Sequence, residues 1–398
     1  ARFLPNTARG LYTLPASPLT DLLQGGLYLI RRALFPSSVG VITAPIQVPL
    51  YFATIDSGAQ KVGIYASLGG GAPQFFEFDT GGKGFYATYA SSDPEFSPWW
   101  GDAVKTSSTA IQNTYDSGLE YQGYAANTTV SLFAAPGSAM PLLTTGVSTV
   151  GQIDSITADP TTYWSPTGAT TPPVDGVFWG DFGMAPNYAA NQVSSLIGQL
   201  TFACGVLPGY RIHIDPGTQT AWMQVGLTNA DTQNPAGLYF NMNLDPDAPQ
   251  GATVPNSGLR YYGEQLFNAA VSIGTAVTDS NLGITPDTGA STTVHNIPST
   301  ERAAYDQVVT WEDPQTKVKG KVNKDLDFSL RGLTTTGTPA TFFDFKTTEK
   351  VNDGQVKVQN QGIETSVYYL NTGIALFFDY DVVYYLGTPQ GGGTLGLI

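Results

Sequence analysis

Two aspartates, Asp79 and Asp287, each close an apolar segment and open an Asp-Thr-Gly tripeptide, and they stand in opposite halves of a 398-residue chain. The first segment reads Phe75-Phe76-Glu77-Phe78-Asp79-Thr80-Gly81. The second reads Leu282-Gly283-Ile284-Thr285-Pro286-Asp287-Thr288-Gly289. Short apolar runs that end in Asp and Gly are strand-then-turn signals. If the two halves fold alike, two strands carry two carboxylates to one place. Carboxylates held that close share a proton, because both cannot ionise cheaply. This demand for two similar halves limits the possible folds more than any other feature of the chain.

The composition suits such an architecture. Glycine (45), proline (27), tyrosine (21) and phenylalanine (20) are abundant, and charged residues make up only 13%. That balance favours many short strands joined by turns. A formal net charge of −14 argues against a nucleic-acid partner, which calls for basic patches. The single cysteine, Cys204, excludes an intramolecular disulfide, and His213 and His295 form no metal-ligand spacing. No segment has the roughly 18 apolar residues of a membrane-crossing helix.

Along the chain, Ser17-Pro18 followed by Leu19, Leu22, Leu23, Leu27, Ile30 and Leu34 predicts an amphipathic linker helix within residues 1–40. Residues 41–198 and 199–398 are expected to form two β-rich lobes. Strand patterns at Ile46–Ile55 and Lys61–Leu68 flank Asp56-Ser57-Gly58. This tripeptide is read as a hairpin turn because strand pattern resumes at once. A hairpin bending at Tyr115-Asp116-Ser117-Gly118 is predicted, with Thr129–Phe133 as its return side. Residues 157–173 are expected to be loop, Asp175–Gly180 a short buried strand, and Asn191–Leu200 helical. Arg211–Ile214 and Ala221–Val225 face each other across Asp215-Pro216-Gly217, and Ser299 is placed as the cap of a further helix.

The stretch from Ile64 through Gly69-Gly70-Gly71-Ala72-Pro73-Gln74 to Asp79-Thr80-Gly81 resembles the opening of pepsin-like aspartic proteases. Asn113-Thr114-Tyr115-Asp116-Ser117-Gly118 resembles their flap. Asp175–Gly180 resembles the apolar-apolar-Gly strand that supports the first aspartate, and Asp287-Thr288-Gly289-Ala290-Ser291 resembles the second catalytic turn. More narrowly, Ser17–Pro36 and Asn371–Phe378 resemble segments of the C-terminal protease domains of mycobacterial PE and PE-PGRS proteins.

The resemblance implies an all-β, bilobal, pepsin-like fold with a central cleft and a few short helices. It implies an aspartic endopeptidase without metal or cofactor, acting on a peptide in extended conformation. Asp79 and Asp287 would be the catalytic pair, and Thr80 and Thr288 would pin the two loops. Gly81, Gly289, Tyr115, Ser117 and Gly118 would contact substrate. A PE export domain, and a place outside the cell or in its envelope, follow from the same resemblance. The chain departs from the family pattern at Gly82 and Ala290, where hydroxyl residues are usual, and at Tyr86, Asp116 and Pro286. Loss of the two hydroxyl donors should raise the proton affinity of the pair. A pepsin-fold surface or binding module with little proteolytic activity is the alternative that these departures leave open.

Overall fold

The computed structural model describes residues 40–55, 58–89, 100–115, 118–158, 161–164, 171–360, 367–388 and 391–398. The helix predicted within residues 1–40, the Asp56-Ser57 dipeptide, and Asp116 and Ser117 of the hairpin bend lie outside the described residues, save Gly40.

Strands dominate, and the described helices are short: Asn229–Thr232, Arg302–Tyr305 and Ala375–Asp379. None is long and apolar enough to cross a membrane. A 16-stranded sheet runs from the first half into Leu207–Asp215 and Thr220–Leu227 and takes in the C-terminal strands Val382–Tyr385 and Thr394–Leu397. A nine-stranded sheet holds the strands between Phe267 and Asn371.

The two halves repeat one arrangement. In the first, Gln74–Asp79 pairs parallel with Gly180–Gly183, which pairs antiparallel with Phe85–Thr88, which pairs parallel with Ser148–Ala158. In the second, Val277–Thr285, Tyr369–Asn371, Thr293–His295 and Lys357–Gln359 follow each other with the same three orientations. The strand leading to Asp79 is locked by a buried aromatic cluster. Phe76 stands edge-on to Phe85 at 4.8 Å, and Phe182 lies 4.9 Å from Phe85 and 6.3 Å from Phe78. Each of these fully buried rings contributes on the order of 2–3 kcal/mol.

Several local expectations change. The return side of the hairpin is Leu119–Thr128, paired with Lys105–Thr114; Val130–Leu132 is a separate strand against Ala66–Leu68. Within 157–173, Thr161–Trp164 folds back on Ser148–Ala158, so the turn-rich composition marks a hairpin. Around Val193, Leu196, Ile197 and Leu200 there are turns and no helix, although all four side chains are buried. The apolar period there records burial. Ser299 caps nothing: the short helix starts after Glu301.

Candidate active site

Both Asp-Thr-Gly loops meet at the base of one cleft of about 550 Å³, lined by Asp79, Asp287, Tyr115, Gly289 and Ala290 among others. Cavities of this size suit a ligand with several groups to place. The Gly81 N–H donates to Asp79 Oδ1 at 2.8 Å, and the Gly289 N–H donates to Asp287 Oδ1 at 2.7 Å. Neither glycine has positive φ, so the turn itself does not require glycine. Close approach does. A Cβ on Gly81 would stand 2.4 Å from Asp287 Cγ, and one on Gly289 would stand 2.7 Å from Asp79 Cγ. Each glycine therefore faces the opposite carboxyl group, and any side chain there would push the pair apart.

Threonines fasten the loops beneath. The Thr80 N–H donates to Thr288 Oγ1 (3.1 Å) and the Thr288 N–H to Thr80 Oγ1 (3.0 Å). The hydroxyls donate onward, Thr80 to the Pro286 carbonyl (3.0 Å) and Thr288 to the Phe78 carbonyl (2.6 Å). Four buried bonds thus tie residues more than 200 positions apart. Pro286 fits because strand pairing ends at Thr285 and its carbonyl, which also accepts from the Tyr384 hydroxyl at 3.3 Å, is the group in use.

Tyr115 lies at the base of the hairpin bend, its ring edge-on to Tyr121 at 5.0 Å. The bend closes with the Gly118 N–H on the Tyr115 carbonyl (2.8 Å), and Gly118 has φ +87°. Tyr86 is fully buried against Tyr121 and accepts from Asn191 Nδ2 at 2.9 Å.

Four residues that the sequence pattern did not single out complete the site: Lys61, Glu77, Asp181 and Asn371. The supporting strand expected at Asp175–Gly180 is instead a turn over residues 175–177, closed by a bridge between Val174 and Phe178 and with Asp175 at φ 52°; only Gly180 of that stretch lies in a strand. The true partner of the Asp79 strand is Gly180-Asp181-Phe182-Gly183, with Asp181 opposite Glu77 and Gly183 opposite Asp79. Tyr115 Oη donates to Asp181 Oδ2 at 2.5 Å. Lys61 Nζ bridges Glu77 (2.6 Å) and Asp175 (2.8 Å). On the other side, Asn371 Nδ2 donates to Asp287 Oδ2 at 2.5 Å.

The carboxyl groups in this enclosure hold protons strongly. Burial, then the charges of Asp287, Asp181 and Glu77, raises Asp79 well above the usual carboxylate range. Burial and the Glu77 charge raise Asp181 likewise, against the lowering effect of the Tyr115 hydrogen bond. Glu77 is raised by burial even with Lys61 beside it.

No protein-family model and no curated protein matches the sequence. Among solved structures, the aspartic proteinase from Irpex lacteus matches 89% of this chain and 97% of that one, with a TM-score of 0.55 and 16% identity. The fold is pepsin-like. At that identity the likeness speaks for the fold and leaves the activity to the site itself.

Proposed function

We propose that the chain is an aspartic endopeptidase whose catalytic pair is Asp79 and Asp287. One observation carries this: two buried carboxyl groups, each packed against the other's Asp-Thr-Gly glycine, over a reciprocal threonine grip at the floor of an open cleft.

The pair holds one proton between its members. The crowd of carboxylates around Asp79 places that proton on its side, while the amide of Asn371 suits a charged oxygen on Asp287. Asp287 then takes a proton from a water molecule whose oxygen attacks the peptide carbonyl carbon. Asp79 gives its proton to the carbonyl oxygen, and a gem-diol forms. On collapse the C–N bond breaks, the amine leaves with the proton from Asp287, and Asp79 takes back a proton from one gem-diol hydroxyl, which leaves the carboxylic acid and restores the pair. Tyr115 walls the cleft beside the scissile bond, and Gly118, with its neighbour Ser117, offers backbone hydrogen bonds to an extended peptide. Processing of this protein or of other secreted mycobacterial proteins at the cell surface, with a PE export domain attached, is the narrower form of the proposal. It is supported by the resemblance of Ser17–Pro36 and Asn371–Phe378.

Purified Asp79→Asn and Asp287→Asn variants test the assignment against a mixed peptide library. Each should lose about 10²- to 10⁴-fold in kcat, the scale of a lost general acid or base, while keeping the wild-type melting profile. Cleavage by either variant at the wild-type rate would remove Asp79 and Asp287 as the reacting pair.

A further inference from the structure

Superimposing the two halves through strand register pairs two residues that have no obvious kinship in sequence. Glu77 and Thr285 each lie two positions before a site aspartate, and their partners across the parallel ladder are Asp181 and Asn371. Both partners lead into a glycine, in Asp181-Phe182-Gly183 and in Asn371-Thr372-Gly373. Asn371 donates to Asp287. Asp181 is its counterpart beside Asp79, with an acid where the second half has an amide.

Three further observations concern Asp181. It is only 2% exposed, and its Oδ1 is buried with no hydrogen-bond partner among the described residues. A bare, buried oxygen is costly on a carboxylate and tolerable on a neutral acid. Its Oδ2 takes the Tyr115 hydroxyl. Finally, a Cβ on Gly82 would stand 2.5 Å from Asp181 Oδ2 and 2.7 Å from Asp79 Oδ2. The two oxygens therefore flank the place where the side chain of a serine at position 82 would sit. Asp181 Oδ2 thus stands beside Asp79 Oδ2 across the place that Gly82 leaves without a hydroxyl.

Resting on the peptidase assignment above, we propose that Asp181 is a positioning residue for Asp79. As a neutral acid it supplies the hydrogen-bond donor that Asn371 supplies to Asp287, and it anchors Tyr115 beside the pair. When Asp79 gives up its proton during attack, the Asp181 O–H faces the new charge, so the contact strengthens in the transition state. The charged and titratable groups around Asp181 are Glu77 and Asp79 on its paired strand, Lys61 one strand beyond, Asp175 in the preceding turn, Tyr86, Tyr115, Tyr121, and Asp287 across the cleft. Lys61 is engaged by Glu77 and Asp175. Ionising Asp181 would thus place a further negative charge against the pair, and activity should end there on the alkaline side.

Asp181→Asn and Asp181→Leu separate this role from a structural one. Asp181→Asn keeps a donor at every pH: its kcat should stay within about threefold of wild type in acid. It should exceed wild type about tenfold or more above the alkaline limb, which moves upward. Asp181→Leu should lose about 10- to 100-fold in kcat with KM little changed, a smaller effect than the 10²- to 10³-fold of a lost oxyanion donor. An unmoved alkaline limb in Asp181→Asn, or full kcat in Asp181→Leu, would overturn the proposal. Infrared spectra near neutral pH supply a readout that needs no turnover: wild type should show one protonated-carboxyl band that Asp181→Asn lacks. If that band is present and no peptide is cleaved, the neutral acid stands and the peptidase assignment falls. Cleavage with no such band sinks the Asp181 role and leaves the peptidase.

Discussion

The two Asp-Thr-Gly loops have the same internal hydrogen bonds and the same threonine grip, yet their surroundings differ in kind. Asp79 sits among acids: Glu77 two residues before it, Asp181 on the adjoining strand, and Asp175 held by Lys61. On its own side of the cleft Asp287 has neutral and cationic neighbours: Asn371 bonded to it, Ala290 and Ser291 after it, and Lys357 further along the cleft wall. One backbone motif thus presents a carboxyl group inclined to keep a proton and another that accepts an amide donor. The repeated strand arrangement supplies the symmetry that brings two carboxyl groups together. Divergence of their neighbours supplies the asymmetry that acid and base roles require.

The largest effect expected from breaking the shared part is on stability. Thr288→Val removes the acceptor of the Thr80 N–H and the donor to the Phe78 carbonyl, both buried. A buried polar group left unpaired costs about 1–3 kcal/mol, so the loss in chemical denaturation should be about 2–4 kcal/mol. Thr80→Val should be milder, because the Pro286 carbonyl keeps the Tyr384 hydroxyl. Equal losses would show that the two loops are fastened alike after all.

The acid-rich side also governs how stability depends on pH. Asp79, Asp181 and Glu77 are all raised in the folded state, chiefly by burial. Above the ordinary carboxylate value of about 4, the unfolded chain has released protons that the folded chain still holds. Stability is therefore fully present below that value and is lost as pH rises towards the folded values, by up to about 1.4 kcal/mol per pH unit for each extra proton held. Denaturation midpoints between pH 4 and 8 should fall for wild type and fall less steeply for Asp181→Asn. Stability that rises with pH over this range would show that these acids ionise freely.

Converting the second half towards the first sharpens the comparison further. Asn371→Asp places a second acid against Asp287, and its effect should be about tenfold in kcat at neutral pH, recovering in acid. Steady-state rates across pH would show it. A profile unchanged from wild type would mean that the bond from Asn371 to Asp287 serves only the fold.

How much of this was legible in the sequence follows from the range over which each feature acts. The strand-turn segments at Asp79 and Asp287, the Tyr115 bend and the hairpin at Asp215-Pro216-Gly217 are local, and their periodicity and turn chemistry locate them. The strand beside Asp79 is expected at Asp175–Gly180 and stands at Gly180–Gly183, because Val177-Phe178-Trp179-Gly180 and Asp181-Phe182-Gly183, three residues apart, both end in glycine. Sequence alone could not say which glycine lies against the loop. Gly183 does so because a Cβ there would meet the Gly82 and Gly84 carbonyl oxygens at 2.6 and 2.3 Å. Asp181 and Asn371 were missed for the same reason. Their role is visible only once register sets Asp181 opposite Glu77 and Asn371 opposite Thr285. A polar residue two places before glycine in both halves was the signal available. The absence of a hydroxyl at Gly82 was legible, but the place of Asp181 Oδ2 beside that gap was not.

The smallest effect concerns the cations of the two walls. Lys61, on the first wall, is neutralised by Glu77 and Asp175. Lys357, on the second, lines the same cleft, is half-buried, and donates to Ser291 Oγ at 3.2 Å, with no carboxylate partner among the described residues. Burial, and then the neighbouring Lys321 across the ladder, pushes its ammonium down from the usual value. An ammonium partly withdrawn from water gains most from a partner that arrives with a ligand, since each incompletely paired charge carries a desolvation cost. Peptides with glutamate at the position that reaches this wall should therefore be cleaved better than their glutamine counterparts, by about three- to tenfold in kcat/KM. That corresponds to roughly 1 kcal/mol for a partly exposed pair. Lys357→Met should erase the preference without lowering the rate on the glutamine peptide, and raised salt should weaken it in wild type. A preference that survives in Lys357→Met would assign acidic selectivity elsewhere in the cleft, and a preference for lysine would mean that the acids around Asp79 dominate both walls.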